Sequence, residues 1–181
     1  MPTLLATCVV GDLRPDKGTV GITAIDKRPT VGPIKLRRLG LHADVQADRK
    51  HHGGEDKALY VYAQEDADFW TAELARELPA GWFGENLRVS GLDVSNARVG
   101  ERWRIGGTVE VEVTMPRSPC ATFASWVGGA DERGWVKRFA TEGRLGAYLR
   151  VIRTGQIAAG DEIEILSSPR DAPTVLEVFR A

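Results

Sequence analysis

The spacing of apolar and polar residues divides the chain into many short segments. Leu4–Val10 (LLATCVV) is an apolar run of strand length. Residues 11–32 read as loop and turn with a weak strand around Val20–Ile25, and Ile34–Leu39 (IKLRRL) predicts a short basic strand. Residues 40–57 are polar and irregular, and Ala58–Tyr62 (ALYVY) returns to a β-favouring apolar run. The period then changes. Ala67, Trp70, Leu74 and Leu78 recur every three or four positions, which predicts an amphipathic helix over 65–78, stopped by Pro79 and Gly81. Leu87–Val89 is again strand-like. Trp103–Ile105 and Val109–Met115 flank Gly106-Gly107 as a hairpin, and Val109, Val111 and Val113 alternate with Glu110 and Glu112, so one face is buried and the other wet. Ala121–Phe139 reads as helical in parts, broken at Gly128-Gly129, and Ala147–Ile152 and Glu162–Leu166 close the series as strands.

Many short strands with few helices predict a mainly β fold, a closed or nearly closed β-barrel with a few peripheral α-helices. One domain is expected over residues 1–168, with 169–181 as a tail packed on it or extending it. Composition sharpens this reading. The 181 residues are 43% hydrophobic and 27% charged, an ordinary globular balance, and the 20 glycines and 9 prolines fall between the apolar runs. The net charge of −1 gives no reason to expect general attraction to nucleic acid or anionic lipid, although a local basic pocket stays open. Two cysteines, Cys8 and Cys120, make no disulfide framework and suit a reducing compartment. The N-terminus lacks a basic leader, and no run approaches the ~20 apolar residues of a membrane span. A soluble, cytoplasmic protein is therefore expected, with its oligomeric state open.

The candidate chemistry lies between the strands. Cys120 follows a strand end in Met-Pro-Arg-Ser-Pro-Cys, where two prolines stiffen the backbone and Arg117 lies three positions upstream. A nearby guanidinium favours the thiolate, the nucleophilic and soft-metal-binding form; a small buried core residue is the alternative. Cys8, inside TLLATCVVG, reads as core. His42, His51 and His52 fall close to Asp44, Asp48, Glu55 and Asp56. A zinc site, a loop lining a ligand pocket and a polar structural loop are all compatible with that grouping. Gly53-Gly54 would let backbone N–H groups approach an anion. Lys35 and Arg37 share one side of their strand and suit a phosphate, or a solvated face. Asn86 suits a ligand ring or a turn; Glu85 lacks a partner carboxylate at fixed spacing for acid–base work. No GxGxxG, Walker A, GxSxG or HExxH pattern is present.

Read together, GLHADVQADRKHHGG, KALYVY, GWFGENLRVSGL, VGERWRIGG, PRSPC and GRLGAYLRVIRTGQIAAGDEIEIL resemble the MOSC family, named for the C-terminal domain of molybdenum-cofactor sulfurases, and within it the YiiM-like stand-alone bacterial branch. The resemblance covers about residues 30–168. It departs from the family pattern at Ala43-Asp44, where Gly-Asp is usual, and in ending at Ala181 without a C-terminal helical extension. It implies a β-rich barrel with the molybdenum cofactor, molybdenum held by a pterin dithiolene, in a cleft at one end, and Cys120 as the protein ligand to molybdenum. Lys35, Arg37 and Arg117 become candidates for the cofactor's phosphate, His51, His52, Gly53, Gly54 and Asn86 for the pterin and the pocket walls, and Ser118 for a further contact with the cofactor. The family also carries an association with pyridoxal phosphate. The implied activity is reduction of N-hydroxylated small molecules, such as hydroxylaminopurine bases, with electrons from a separate reductase. A persulfide carrier or transferase using Cys120, and a non-catalytic cofactor carrier, are the alternatives. No nucleic-acid or membrane partner is implied.

Overall fold

The structure of the chain, a computed structural model, describes residues 1–17, 20–46, 53–128 and 134–181. Among these residues eleven strands lie in two sheets: β1 (Thr3–Pro15), β2 (Ile22–Pro29), β3 (Ile34–Arg37), β4 (Gly40–Leu41), β5 (Leu59–Ala63), β6 (Leu87–Ser90), β7 (Arg102–Ile105), β8 (Val109–Pro116), β9 (Ala147–Arg153), β10 (Gly155–Ile157) and β11 (Ile163–Ser167). Eight of them follow the order β11-β7-β8-β9-β5-β6-β1-β2, and three form β10-β3-β4. The helices are α1 (Gln64–Leu74), α2 (Ala121–Val127), α3 (Trp135–Glu142) and α4 (Val175–Arg180). The fold is thus mainly β with a few short helices. Among the described residues no sheet closes into a barrel. The large sheet curls until its two ends approach at an isolated bridge, Thr3 to Glu162, with Leu4 N donating to Asp161 O at 2.8 Å and Ile163 N to Pro2 O at 2.8 Å. A few backbone bonds span the seam where a barrel needs a strand ladder.

β5 shows why the sheet sits between two cores. All five of its residues are buried. Leu59, Val61 and Ala63 face one aliphatic cluster with Leu4, Leu87, Val111 and Leu149, while Tyr60 and Tyr62 face a second, aromatic cluster with Trp70, Phe83, Phe123, Trp135 and Phe139. Period-two alternation sends successive side chains to opposite faces, so a strand covered on both sides reads as a continuous apolar run. The helices supply the aromatic layer; Trp70 of α1 stacks on Phe139 of α3 at 5.5 Å.

The most extended departure from the sequence reading is at the N-terminus. Residues 11–32 were expected to be mostly loop, yet β1 runs to Pro15 and pairs with β2 over Ile22–Pro29. The arm carries charges where an ordinary strand carries apolar residues. Arg14 donates to Asp26 at 2.5 Å and Arg28 to Asp12 at 2.5 Å, so cross-strand ion pairs replace a hydrophobic face. α1 ends four residues earlier than the periodicity suggests, because Ala75 turns left-handed at φ 49°. The C-terminal tail packs back on the sheet: Thr174 and Glu177 form a capping box for α4, and Val175 is fully buried.

One glycine ties β2 to the loop before β6. Gly81 sits at φ 91°, and a Cβ there would overlap the carbonyl of Lys27. Gly81→Ala is expected to cost about 2 kcal/mol or more, from left-handed strain plus displaced backbone; urea unfolding would measure it, and an unchanged midpoint would rule out the close approach.

Candidate functional site

β8 runs to Pro116, and the next four residues carry the chain away from the sheet to Cys120, which precedes α2. Cys120 is half-buried against the aromatic core, Ser118 is exposed, and Arg117 is only 6% exposed. Both Cys120 and Arg117 line a cleft of about 220 Å³, whose other walls come from β2 (Ile22, Ala24, Lys27), the Asp44–Gln46 segment, Lys57 and Tyr60, and Phe83, Asn86 and Tyr148.

Arg117 is the unusual member. Its guanidinium carbon lies 4.2 Å from the Phe123 ring centre and 5.4 Å from that of Tyr60. Among the described residues it has no ion pair, and its Nη1 is buried without a hydrogen-bond partner. Ring faces recover part of the lost hydration, but a buried guanidinium without a counter-ion carries a penalty of several kcal/mol. Burial pushes the Tyr148 phenol above its ordinary range; Arg117 opposes that shift and Cys120 adds to it, so the three side chains share one electrostatic environment. Lys57 Nζ lies 5.6 Å from the centre of the Tyr148 ring.

Behind the cleft, Asp44 is a hub. Its carboxylate accepts from Val10 N at 2.9 Å, from Lys27 Nζ at 2.5 Å and from Asn86 Nδ2 at 2.7 Å. Asn86 also donates to Cys8 O at 3.2 Å and accepts from Tyr60 N at 3.1 Å. Its side chain therefore cross-links three segments, instead of closing a turn, and both of its amide protons are engaged inside the protein. Ala43 before the hub stands at φ 69°. A left-handed residue there accounts physically for the glycine usual in the resembling family.

Glu85 has a structural role. It is fully buried, paired with Arg88 at 2.5 Å, and it accepts from Gly81 N at 2.7 Å and Phe83 N at 3.0 Å. Arg88 in turn donates to Gln64 Oε1 at 3.1 Å and Pro79 O at 3.2 Å. The pair fixes the loop that presents Phe83 and Gly84 to the cleft.

Of the residues the sequence singles out, Cys120, Arg117 and Asn86 meet at the cleft. Lys35, Arg37, Gly53, Gly54 and Ser118 do not line it. Lys35 and Arg37 lie on the exposed side of β3, in the smaller sheet. His51 and His52 fall outside the described residues, as does Asp48, so the zinc alternative cannot be placed; among the described residues no three His, Cys, Asp or Glu side chains gather. Cleft residues the sequence reading passed over are Lys27, Lys57, Tyr60 and Tyr148. They sit in strands, or beside one, and look like ordinary members of them; the faint signal was Tyr60 and Tyr148 on strands that turn out to be paired at that register.

Cys8 is core, as expected, and burial, with Glu85 adding to it, pushes its thiol up to about 12. Native protein is expected to take one equivalent of iodoacetamide at pH 8, on Cys120, with Cys8 reacting only after denaturation; two equivalents in the native state would contradict this. Raised thiol and phenol values also set the sign of the pH dependence. The folded state keeps the protons of Cys8, Tyr60, Tyr62 and Tyr148 where the unfolded chain releases them. The contribution of these four groups is therefore full below about pH 9 and falls above it, from Cys8 first.

A curled, mainly β domain presents a half-buried thiol in the same cleft as a buried guanidinium that has no ion pair among the described residues. The family model of the MOSC domain matches residues 48–164, and the chain belongs to that family. It is 39% identical over 145 residues to YflK of Bacillus subtilis and 34% identical over 152 residues to YiiM of Escherichia coli, covering 80% and 82% of this chain. It spans 64% and 66% of the lengths of those two proteins, just under two thirds. A Gibberella moniliformis protein named as a reductase is 32% identical over 173 residues, which cover 91% of this chain and 30% of that protein. The crystal structure of YiiM from Geobacillus stearothermophilus superposes with a TM-score of 0.78 at 25% identity, covering 99% of this chain and 83% of that one. No helix among the described residues is long and apolar enough to cross a membrane.

Proposed function

We propose that the chain binds a molybdenum–pterin cofactor in the cleft, with Cys120 as the protein's ligand to the metal, and that the loaded protein reduces N-hydroxylated compounds such as hydroxylaminopurine bases to the amines. One observation carries the reading: a half-buried thiol and an uncompensated, 6%-exposed guanidinium share one cleft. The donor set fits the group. A thiolate is a soft ligand for a redox metal that has its remaining sulfur ligands from the pterin, and Arg117 supplies the charge that an anionic cofactor needs. At about 220 Å³ the cleft lies below the roughly 300–1,000 Å³ that enclose a drug-sized ligand, so a pterin of that size would be held with part of its length outside.

When bound, the group supplies two-electron chemistry at an N–O bond. This chain's residues do the rest. Cys120 fixes the reacting end, Arg117 holds negative charge, and Tyr60 and Phe83 form an apolar wall that thins the water there. The Lys27–Asp44–Asn86 network keeps the back wall rigid. Val20, Ile22 and Val45, exposed and apolar at the cleft, suit the face of a planar base. Over the full reaction the N–O bond breaks, two electrons and two protons are taken up, and the amine and water leave. The electrons come from a separate reductase; the name of the fungal relative, a reductase, supports redox chemistry for this unit.

The test uses protein from a cofactor-competent host, dithionite as donor and 6-hydroxylaminopurine as substrate. Formation of adenine, lost in Cys120→Ala, is expected. No adenine from molybdenum-loaded protein would remove the reductase reading. One added sulfur atom on Cys120 by mass spectrometry would favour a persulfide carrier.

A further inference from the structure

β3 carries two cations that the cleft does not use. In the large sheet, cross-strand arginines are neutralised: Arg102 lies opposite Glu112 and bonds it at 3.0 Å, Arg153 opposite Glu110 at 3.2 Å, and Arg150 opposite Glu112 at 3.3 Å. The small sheet breaks that rule. Lys35 stands opposite Gln156, and Arg37 opposite Gly40. Neither has an ion pair among the described residues, whereas the neighbouring Arg38 is paired with Glu55 at 2.8 Å. Val31, three residues before the strand, and Leu39, two residues after it, are exposed as well. It also adjoins the cleft. Gln46, a cleft residue, donates to Leu39 O at 3.4 Å and to Lys57 O at 3.1 Å.

We propose that the exposed face of β3, with Lys35 and Arg37 and the exposed Val31 and Leu39 in the segments that flank the strand, is the docking surface for an acidic electron-donor protein. The inference rests on the reductase reading above. That reaction consumes two electrons, and the chain has two cysteines and no dinucleotide-binding pattern with which to carry or collect them itself. Charge complementarity selects an acidic partner: like charges on both faces would oppose contact, and opposite ones speed encounter. Two cations without an accompanying row of aromatic side chains are a poor platform for nucleic acid. A donor seated on β3 would lie against the segment that forms one wall of the cleft.

The probe is a bacterial flavodoxin of strongly negative net charge, with the molybdenum-loaded protein and its Lys35→Glu/Arg37→Glu variant. Both side chains are exposed, so folding is expected to be unchanged by circular dichroism. Flavodoxin binding by calorimetry is expected to weaken about tenfold in the variant and to weaken with rising salt in the parent. Turnover driven by reduced flavodoxin falls in step, while dithionite-driven turnover is unaltered. Binding that ignores both the substitutions and salt, or no binding to either protein, overturns the docking surface. A short single-stranded RNA that binds the parent in place of flavodoxin, and not the variant, overturns it as well. Failure of the reductase reading looks different: dithionite drives no turnover in either protein, and the calorimetry alone then decides the surface.

Discussion

Arg88→Met is expected to lower the unfolding free energy by about 3–5 kcal/mol, the largest stability effect of any single substitution outside the hydrophobic cores. The reason is asymmetric. Glu85 and Arg88 are both fully buried, and the carboxylate also holds the amides of Gly81 and Phe83. Removing the guanidinium leaves a buried carboxylate without its ion-pair partner. Replacing both partners, as in Glu85→Gln/Arg88→Met, removes the stranded charge and is expected to restore part of the loss; Gln keeps one acceptor for the backbone amides. Urea unfolding of the two singles and the double closes the cycle. A double variant as unstable as the sum of the singles would mean that the pair is not coupled.

Arg117→Met is expected to do the reverse. Without a bound anion the guanidinium is a buried charge with an unpartnered Nη1, held between Phe123 and Tyr60. An apolar side chain of similar length relieves that burden, so the cofactor-free protein should gain about 1–4 kcal/mol. The same change should lower cofactor retention at least tenfold, because the anion loses its counter-charge. Gain of stability with loss of binding is the signature of a site shaped for a ligand instead of for its own folding. Thermal unfolding of cofactor-free protein, beside pterin content after purification, measures both arms. A destabilised variant that keeps its cofactor would place Arg117 among the ordinary core residues.

The two cases also show what the sequence could reveal. ALYVY, the Val/Glu alternation of 109–113 and the Gly106-Gly107 turn encode their own local structure, and each strand forms within a residue or two of its expected span. Cys120 was legible because proline, charge and thiol are adjacent in PRSPC. The β1–β2 arm was not, because its pairing rests on Arg14–Asp26 and Arg28–Asp12 contacts formed across the hairpin, and charged residues in isolation read as loop. β10 was missed for a related reason: three residues containing a glycine carry no periodic signal. Charge and alternation alone leave Lys35 and Arg37 open to a phosphate or to a solvated face. Their real position depends on β3 pairing with β10 and β4, which no local pattern specifies. Glu85 shows the converse error of scale. Its partner is three positions away, yet only burial reveals that the two form a structural pair and not a catalytic acid.

The proposed chemistry of the cleft stands or falls with Cys120 as metal ligand. The deciding measurement is molybdenum by elemental analysis, with pterin fluorescence after oxidation, on parent and Cys120→Ala protein purified side by side from a cofactor-competent host. Molybdenum near one equivalent in the parent, lost in the variant, is the predicted result. Equal molybdenum in both, or neither molybdenum nor pterin in the parent, would contradict it.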